Sequence, residues 1–453
     1  MNEHDSEQVA GLLVADGMEP ADCPEDADVV VLNTCCIREN ADNRLYGHLG
    51  HLKALRERRP DMQIAVGGCL AQNAGAAIRE RASHVDVVFG THNLSRVAEL
   101  LRSARSDGPQ VEIVDSPHPA GPGVLTLSLN AVRESSFAAW VTIQTGCDNS
   151  CAFCIVPRVR GREVSRPVHE LIAEVRALAD TGVTEVTLLG QNVNSYGRDL
   201  TKRRPLFADL LRAVGDQPGI SRVRFTSPHP KDLRPETIEA MAEVSAVCEH
   251  LHLPLQSGSN RVLATMRRGY TAERYLERLA NARARIPDLA VTTDIIVGFP
   301  GETEEDFEHT LEVVAEAQYD SAYTFIFSPR PGTRAAAMEE LFVDPDVIGD
   351  RFERLRSVVE RSALTRHRAR IGRVEELLVE GPSKRDPSVF TGRTKQNKLV
   401  HFKPRSVPPA VGAYASVEVT SAAPHHLVGE MTGVAPNQNK PRRVRIPVSL
   451  VSG

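Results

Sequence analysis

Long apolar runs are absent from this 453-residue chain. None approaches the roughly 18 residues a membrane span requires, and the acidic start Met1-Asn2-Glu3-His4-Asp5 is the opposite of a secretory signal. Both absences point to a cytoplasmic protein that does not enter a membrane. Cysteine is scarce as well. Eight in so long a chain do not make a disulfide scaffold, and five of them fall in three short loops, as metal ligands in a reducing compartment would. What the composition does supply, 41% hydrophobic and 25% charged residues, is enough for several cores, and the length predicts two to four domains.

Acidic charge is under-represented at one end. From Thr365 onward there are 15 Lys+Arg and 6 Asp+Glu, a surplus of +9, which leaves −14 for the rest of a chain whose net charge is −5. A basic C-terminal segment on an acidic body suggests contact with a polyanion, RNA or DNA.

The stretch with the most chemistry is Gly146-Cys147-Asp148-Asn149-Ser150-Cys151-Ala152-Phe153-Cys154. Its three cysteines, spaced C-x₃-C-x₂-C after an apolar strand, suit one iron–sulfur cluster. A [4Fe–4S] cubane takes one thiolate per iron, so one iron stays open to a small chelating ligand. Two other readings compete: a structural zinc site, or buried cysteines near one another by chance. The second cysteine pair, or the histidines, that would complete a zinc site do not follow downstream.

Taken in order, residues 1–104 read as a small α/β unit. Short buried strands at 29–32, 64–67 and 85–89 alternate with helices such as 41–58 and 73–81, which predicts a doubly wound parallel sheet. Cys35 and Cys69 fall at equivalent strand ends, where such sheets bind ligands; they are either ordinary core cysteines or half of a second metal site. Residues 105–136, rich in Pro, Ser and Gly, read as a linker. Residues 137–365 alternate strand (141–143, 186–189, 223–225, 251–253, 291–297, 323–327) with helix (169–180, 235–243, 272–284, 304–317), a parallel (β/α) partial barrel. The loops after these strands carry Gln191, Asn192, Gln256, Ser257 and Glu302 around the same mouth as the cysteines, so these five are the candidate cofactor-binding residues. Residues 366–434 read as a small antiparallel β-barrel with strands at 374–380, 389–394, 398–402 and 415–419. Its run Thr391-Gly392-Arg393-Thr394-Lys395-Gln396-Asn397-Lys398 suits phosphate contacts, or is a solvated charged hairpin. Residues 435–453 form a basic tail.

Together these motifs resemble one family, the radical S-adenosylmethionine (SAM) methylthiotransferases, and within it the bacterial tRNA adenosine branch. The similarity runs in order through Asn33-Thr34-Cys35, Gly67-Gly68-Cys69-Leu70-Ala71-Gln72, the cysteine triad, Leu189-Gly190-Gln191-Asn192-Val193-Asn194, Leu253-Pro254-Leu255-Gln256-Ser257-Gly258-Ser259 and Gly298-Phe299-Pro300-Gly301-Glu302-Thr303. The C-terminal segment resembles the family's RNA-binding TRAM domain. Gln191-Asn192-Val193-Asn194, Gln256-Ser257-Gly258-Ser259 and Gly90-Thr91-His92-Asn93 resemble the tRNA branch more than the branch that modifies a ribosomal protein.

The resemblance implies that a [4Fe–4S] cluster on Cys147, Cys151 and Cys154 binds SAM. It also implies that a methylthio group is inserted at carbon 2 of an N-6-isopentenylated adenosine beside the tRNA anticodon. A second [4Fe–4S] cluster, on three N-terminal cysteines, handles the sulfur in this family; Cys35 and Cys69 match two of them. The family's first cluster cysteine precedes the Met-Asn with which this sequence begins, so the front strand is expected to be missing and that cluster incomplete, with Cys36 and Cys23 poor substitutes. Further implied partners are the anticodon loop, an electron donor such as a flavodoxin or ferredoxin, and a sulfur source, with the chain acting as a monomer. A methylthiotransferase acting on another tRNA adenosine or on a ribosomal protein differs only in substrate. A non-catalytic RNA-binding metalloprotein is the alternative of another kind.

Overall fold

The computed structural model describes residues 1–35, 39–114, 131–202, 204–405 and 407–434. Half of the expected linker, the basic tail and Cys36 therefore lie outside the described residues. No described helix is long and apolar enough to cross a membrane.

The N-terminal unit is a four-stranded parallel sheet in the order β1 (Val29–Thr34), β2 (Gln63–Gly68), β3 (Val87–Phe89) and β4 (Gln110–Glu112). Strand alternation divides its side chains between two cores. Ile64, Val66 and Val88 pack under Leu45, Leu49, Leu70 and Ile78, whereas Ala65, Val87 and Phe89 pack under Val9, Val97 and Leu100. Helices thus cover both faces. The sheet takes in β4, and the helix Val97–Asp107 runs on past residue 104, so the unit extends into the expected linker. The single helix expected at 73–81 is two, Cys69–Ala74 and Ala77–Arg81, divided at Gly75 with φ +52°.

After Ala138–Thr142 (β5) come the short hairpin strands Gln144–Thr145 (β6) and Val164–Ser165 (β7). The barrel then continues through Glu185–Leu189 (β8), Arg222–Phe225 (β9), His250–His252 (β10), Ala290–Val297 (β11) and Ser321–Ile326 (β12). Parallel pairing gives two triplets, β5-β8-β9 and β10-β11-β12, joined through a parallel bridge between Val223 and Val247. Helices between them bury one apolar stripe each. In Ala272–Arg285, capped by the Thr271 hydroxyl, the stripe is Tyr275, Leu279 and Ala282. In Glu304–Ala317, opened by a Thr303/Asp306 capping box, it is Phe307, Val314 and Ala317.

The C-terminal barrel is closed, in the order β13 (Val374–Pro382), β14 (Phe390–Arg393), β15 (Leu399–Lys403), β17 (Leu427–Val434) and β16 (Tyr414–Ala422). Two expectations change here. There is a fifth strand, β17, and its pairing with β15 is parallel where an all-antiparallel barrel was expected. That pairing removes the open edge.

The helix Pro345–Arg368 carries this barrel onto the central one. Near its end buried His367 donates through Nδ1 to Ala423 O at 2.6 Å. Burial, helped by Lys398 and Arg370 and opposed by Asp320, lowers its pKa to about 4. The unfolded chain, with an ordinary histidine, binds this proton more readily than the fold does, so stability is lost as pH falls from about 6.5 through 4. His367→Gln should flatten that loss by on the order of 2–3 kcal/mol in urea titrations at pH 7 and pH 4. Equal pH dependence in both proteins would reject the assignment.

Candidate active site

The triad loop leaves the barrel through Gly146, at φ +74°, where a Cβ would lie 1.9 Å from Arg162 O. Only glycine allows the loop to pass this close to the returning backbone. The three half-buried cysteines then line one cavity of about 450 Å³ with Arg162, Arg267 and Arg334. Among the described residues no three His, Cys, Asp or Glu side chains converge as they would on a single ion. The thiols instead border a shared space, as ligands of separate irons in a cluster do. Burial pushes the Cys147 thiol up to about 12 and Cys154 to about 11, so a metal loading here displaces protons. Asn149 N donates to Cys147 Sγ at 3.5 Å, and Arg268 Nη1 to Cys151 Sγ at 3.3 Å. Behind them the buried His229 Nε2 has no partner, while its Nδ1 accepts from Lys231 N at 3.2 Å. Three cysteines, donors aimed at two of the sulfurs and an orphaned buried donor nearby fit a thiolate-held cluster with a further polar ligand.

A second, larger space of about 1000 Å³ occupies the barrel interior. It shares no lining residue with the cysteine cavity and draws on all three units: Ser6 and Glu7 from the helix Asn2–Ala15, the inner faces of the strands, and Leu378 and Arg393 from the C-terminal barrel. A closed parallel barrel would fill its interior with branched side chains. Here the inward positions are Trp140, Thr187, His250, His252, Asp294 and Tyr323. His252 lies 3.4 Å from Asp294 and hydrogen-bonds Thr292 Oγ1 at 3.0 Å. Tyr323 is 56% exposed and meets the His252 ring edge-on. None of these was singled out from sequence, although the alternation His250-Leu251-His252, with Leu251 buried between two half-buried histidines, is a legible signal.

The five expected cofactor-binding residues divide. Gln191 is half-buried at the mouth and donates to Met1 Sδ at 2.7 Å. Gln256 holds a left-handed φ of +70° beside β11, as Ser227 (+60°) does at the end of β9 and Arg267 (+58°) does on the cysteine cavity. Strain of this kind collects at functional sites. The side chains of the other three are buried and engaged within the protein. Asn192 donates to Asp232 Oδ2 at 2.7 Å and accepts from His229 N. Ser257 meets Thr310 Oγ1 at 3.3 Å. Glu302 accepts from Gly298 N at 3.2 Å and pairs with Arg351 at 2.9 Å. These three side chains brace the loops, since a turn's own backbone groups compete for the same polar residues that a ligand would use.

Cys35 and Cys69 are brought together. Thr34 and Gly68 pair in register at the ends of β1 and β2, so the next residue of each strand leaves the sheet beside the other. Gly68, at φ +94°, permits this approach; a Cβ there would lie 2.5 Å from Thr34 O. Cys23 hydrogen-bonds Asp26 within its own turn, 3.2 Å away. The two cysteine sites are mechanically joined. Ile155 and Val159, just beyond the triad, pack into the same core as Cys69 and Leu70. Arg160, on the helix Val156–Arg160, pairs with buried Asp5 at 2.5 Å and also faces Cys69.

The basic run at 391–398, the end of β14 and the turn into β15, is not a solvated hairpin, because it docks on the central barrel. Lys395 Nζ donates to Ser245 O at 2.8 Å, Gln396 to Asp288 at 2.9 Å, and buried Lys398 pairs with Asp320 at 2.5 Å. Arg222 and Arg224 of β9 reach back to its carbonyls.

Comparison with known proteins covers the same three units. The chain matches the Radical SAM superfamily over residues 141–314, the uncharacterized protein family UPF0004 over 1–90 and the TRAM domain over 368–432. It is 50% identical over 448 residues to the tRNA-2-methylthio-N(6)-dimethylallyladenosine synthase 1 of Mycobacterium marinum, spanning 95% of this chain and 84% of that one. It is 52% identical over 434 residues to the synthase of the same name from Acidothermus cellulolyticus, spanning 95% and 86%. Among solved structures, a radical S-adenosylmethionine methyltransferase from Kitasatospora setae superposes with a TM-score of 0.54 at 15% identity, over 74% of this chain and 72% of that one. That likeness concerns the fold alone.

Proposed function

Because the chain belongs to the family of tRNA-2-methylthio-N(6)-dimethylallyladenosine synthases, we propose that it inserts a methylthio group at carbon 2 of N-6-isopentenyladenosine beside the tRNA anticodon. The observation that carries this reading is the cysteine triad at the mouth of a barrel whose interior stays open, with all three units lining that interior. Cys147, Cys151 and Cys154 would hold a [4Fe–4S] cluster that, with SAM, would supply the radical chemistry needed for a C–H bond too strong for any side-chain base.

The protein's own part is to bind, orient and exclude water. A single-stranded anticodon loop lets its base be splayed out without breaking a duplex. The interior, at about 1000 Å³, accommodates an isopentenylated base. Trp140, Phe225, Tyr323 and Phe325 offer the apolar prenyl group a wall, and the His252–Asp294 pair offers polar partners to the purine edge. A second cluster takes Cys35 and Cys69 among its ligands, with Arg160 tying that site to the helix behind the triad. An acidic low-potential carrier such as a flavodoxin or ferredoxin supplies electrons, and the enzyme works as a cytoplasmic monomer.

The test is to reconstitute the full chain anaerobically, count iron and sulfide, and assay isopentenylated tRNA by mass spectrometry. A gain of one methylthio group is expected; bound zinc without SAM cleavage would refute the reading. Cys69→Ala should keep SAM cleavage and lose the methylthio product, and loss of both together would remove the division of labour between the two cysteine sites.

RNA contact falls to the other end of the C-terminal barrel. With Phe390 paired to Phe402, the exposed Lys384, Arg385, Lys403 and Arg405 gather opposite the docked turn. Lys384→Ala/Arg385→Ala should weaken tRNA binding and lower the salt slope by about two, as loss of two phosphate contacts requires. Lys395→Ala should leave that slope unchanged. The reverse ranking would return the phosphate role to the docked run.

A further inference from the structure

Seven arginines are buried among the described residues: Arg160, Arg166, Arg222, Arg224, Arg268, Arg351 and Arg370. Six pair with a carboxylate: Asp5, Glu174, Glu376, Glu185, Glu302 and Glu375 respectively, all within 3.1 Å. Arg268 is the exception. It is 6% exposed, and its three hydrogen bonds run to the Tyr270 hydroxyl at 3.2 Å, to Pro254 O at 3.5 Å and to Cys151 Sγ at 3.3 Å. A guanidinium keeps its charge at any pH the fold survives, and a buried charge without an opposite partner is strongly destabilising. The one group within reach that can take a full negative charge at neutral pH is Cys151, as a metal-bound thiolate.

We propose that Arg268 is a positioning residue for the cluster held by Cys147, Cys151 and Cys154: it donates a charge-assisted hydrogen bond to the Cys151 sulfur and raises that cluster's reduction potential. The inference rests on the cluster assignment made above. Reduction by an external one-electron donor adds one negative charge to a group that is already anionic. A fixed cation 3.3 Å from a ligand sulfur stabilises the more negative state more than the less negative one, and hydrogen bonds to the sulfurs are among the determinants of cluster potential. Arg268 occupies this place because Met266, two residues before it, is fully buried with Phe299 and Ala152. Met266 O also accepts from Ala152 N at 2.9 Å, so the arginine's own segment is tied to the cysteine loop. Tyr270, which hydrogen-bonds the Pro254 and Leu255 carbonyls at 3.0 and 2.8 Å, accepts from Nε, away from the nitrogen that meets Cys151.

The experiment is a redox titration of the anaerobically reconstituted full chain, followed by the electron paramagnetic resonance signal of the reduced cluster. Arg268→Gln should shift the reduction equilibrium roughly tenfold against the reduced form, which for a one-electron couple is about 59 mV more negative. Arg268→Lys, which keeps the charge, should recover most of that shift. Tyr270→Phe removes the Nε partner, leaves the Cys151 contact and should titrate like the parent. Arg268→Met, similar in length and uncharged, replaces the glutamine variant if that one does not fold, with the same shift expected. Uncharged variants that titrate like the parent, or a Tyr270→Phe shift as large as theirs, would overturn the inference. Absence of any cluster signal in the parent would instead overturn the cluster assignment itself.

Discussion

With Cys151 replaced by alanine, the reconstituted chain should hold about four fewer irons and cleave SAM no faster than background. The expectation follows from counting ligands. A cubane with three protein thiolates already has one open iron, and removing another thiolate leaves two irons without a protein ligand in a cavity open to solvent. The carboxylate that shares the cavity, Asp148, accepts from Arg162 Nε and Glu163 N and offers iron no thiolate. Cys147→Ala and Cys154→Ala should behave alike, because all three sulfurs line the one cavity. The control is Cys248→Ala. That cysteine is 2% exposed beside β9 and burial pushes its thiol up to about 11, so its loss should cost only packing, about 1 kcal/mol, with iron content and cleavage retained. Reductive cleavage persisting in the triple variant Cys147→Ala/Cys151→Ala/Cys154→Ala would remove the basis of the proposed function.

Local pattern made the strands and helices of the barrel legible in the sequence. The helices expected at 235–243 and 304–317 are Pro235–Glu243 and Glu304–Ala317 in the structure, because proline at the first turn and a Thr-x-x-Asp capping box are signals carried by adjacent residues. The convergence of the triad on one cavity was legible for the same reason: its three cysteines lie within eight residues. Contacts between distant segments were not. Asn192 and Glu302 occupy the expected loops, yet their partners Asp232 and Arg351 are 40 and 49 residues away, and no local pattern reports that a loop polar group has been taken by the protein itself. The basic run at 391–398 looked like a surface for phosphate because composition records charge but not what faces it. Asp320 and Ser245, which take Lys398 and Lys395, come from the other barrel. Strand β17 was missed because Leu427–Val434 carries glycines at 429 and 433, which weaken a strand pattern; Gly429 is needed because a Cβ there would lie 2.4 Å from Glu418 O.

That docking leads to the second large effect, at Arg222. Its side chain is completely buried on β9, and it holds the C-terminal barrel by that barrel's backbone, donating to Arg393 O at 2.7 Å and Glu376 O at 3.0 Å beneath the Tyr414 ring. Arg222→Ala strands two carbonyls at an interface from which water is excluded, at about 1–3 kcal/mol each, and loses a cation–π contact of about 1–2 kcal/mol. A total of roughly 3–8 kcal/mol is therefore expected, concentrated on the contact between the two barrels rather than on either core. Calorimetry should then resolve a separate, earlier transition for the C-terminal barrel, whose own core of Leu377, Val400, Phe402 and Val417 is untouched. Glu376→Gln is the discriminating companion. Glu376 is 54% exposed, so removing its charge while keeping its carbonyl should cost less than about 1 kcal/mol. Because Leu378 and Arg393 line the interior space, undocking should also weaken tRNA binding while SAM cleavage without tRNA stays as it was. A single unshifted transition in Arg222→Ala, or an equal loss in Glu376→Gln, would mean that the barrels are joined by their ion pairs and not by this buried arginine.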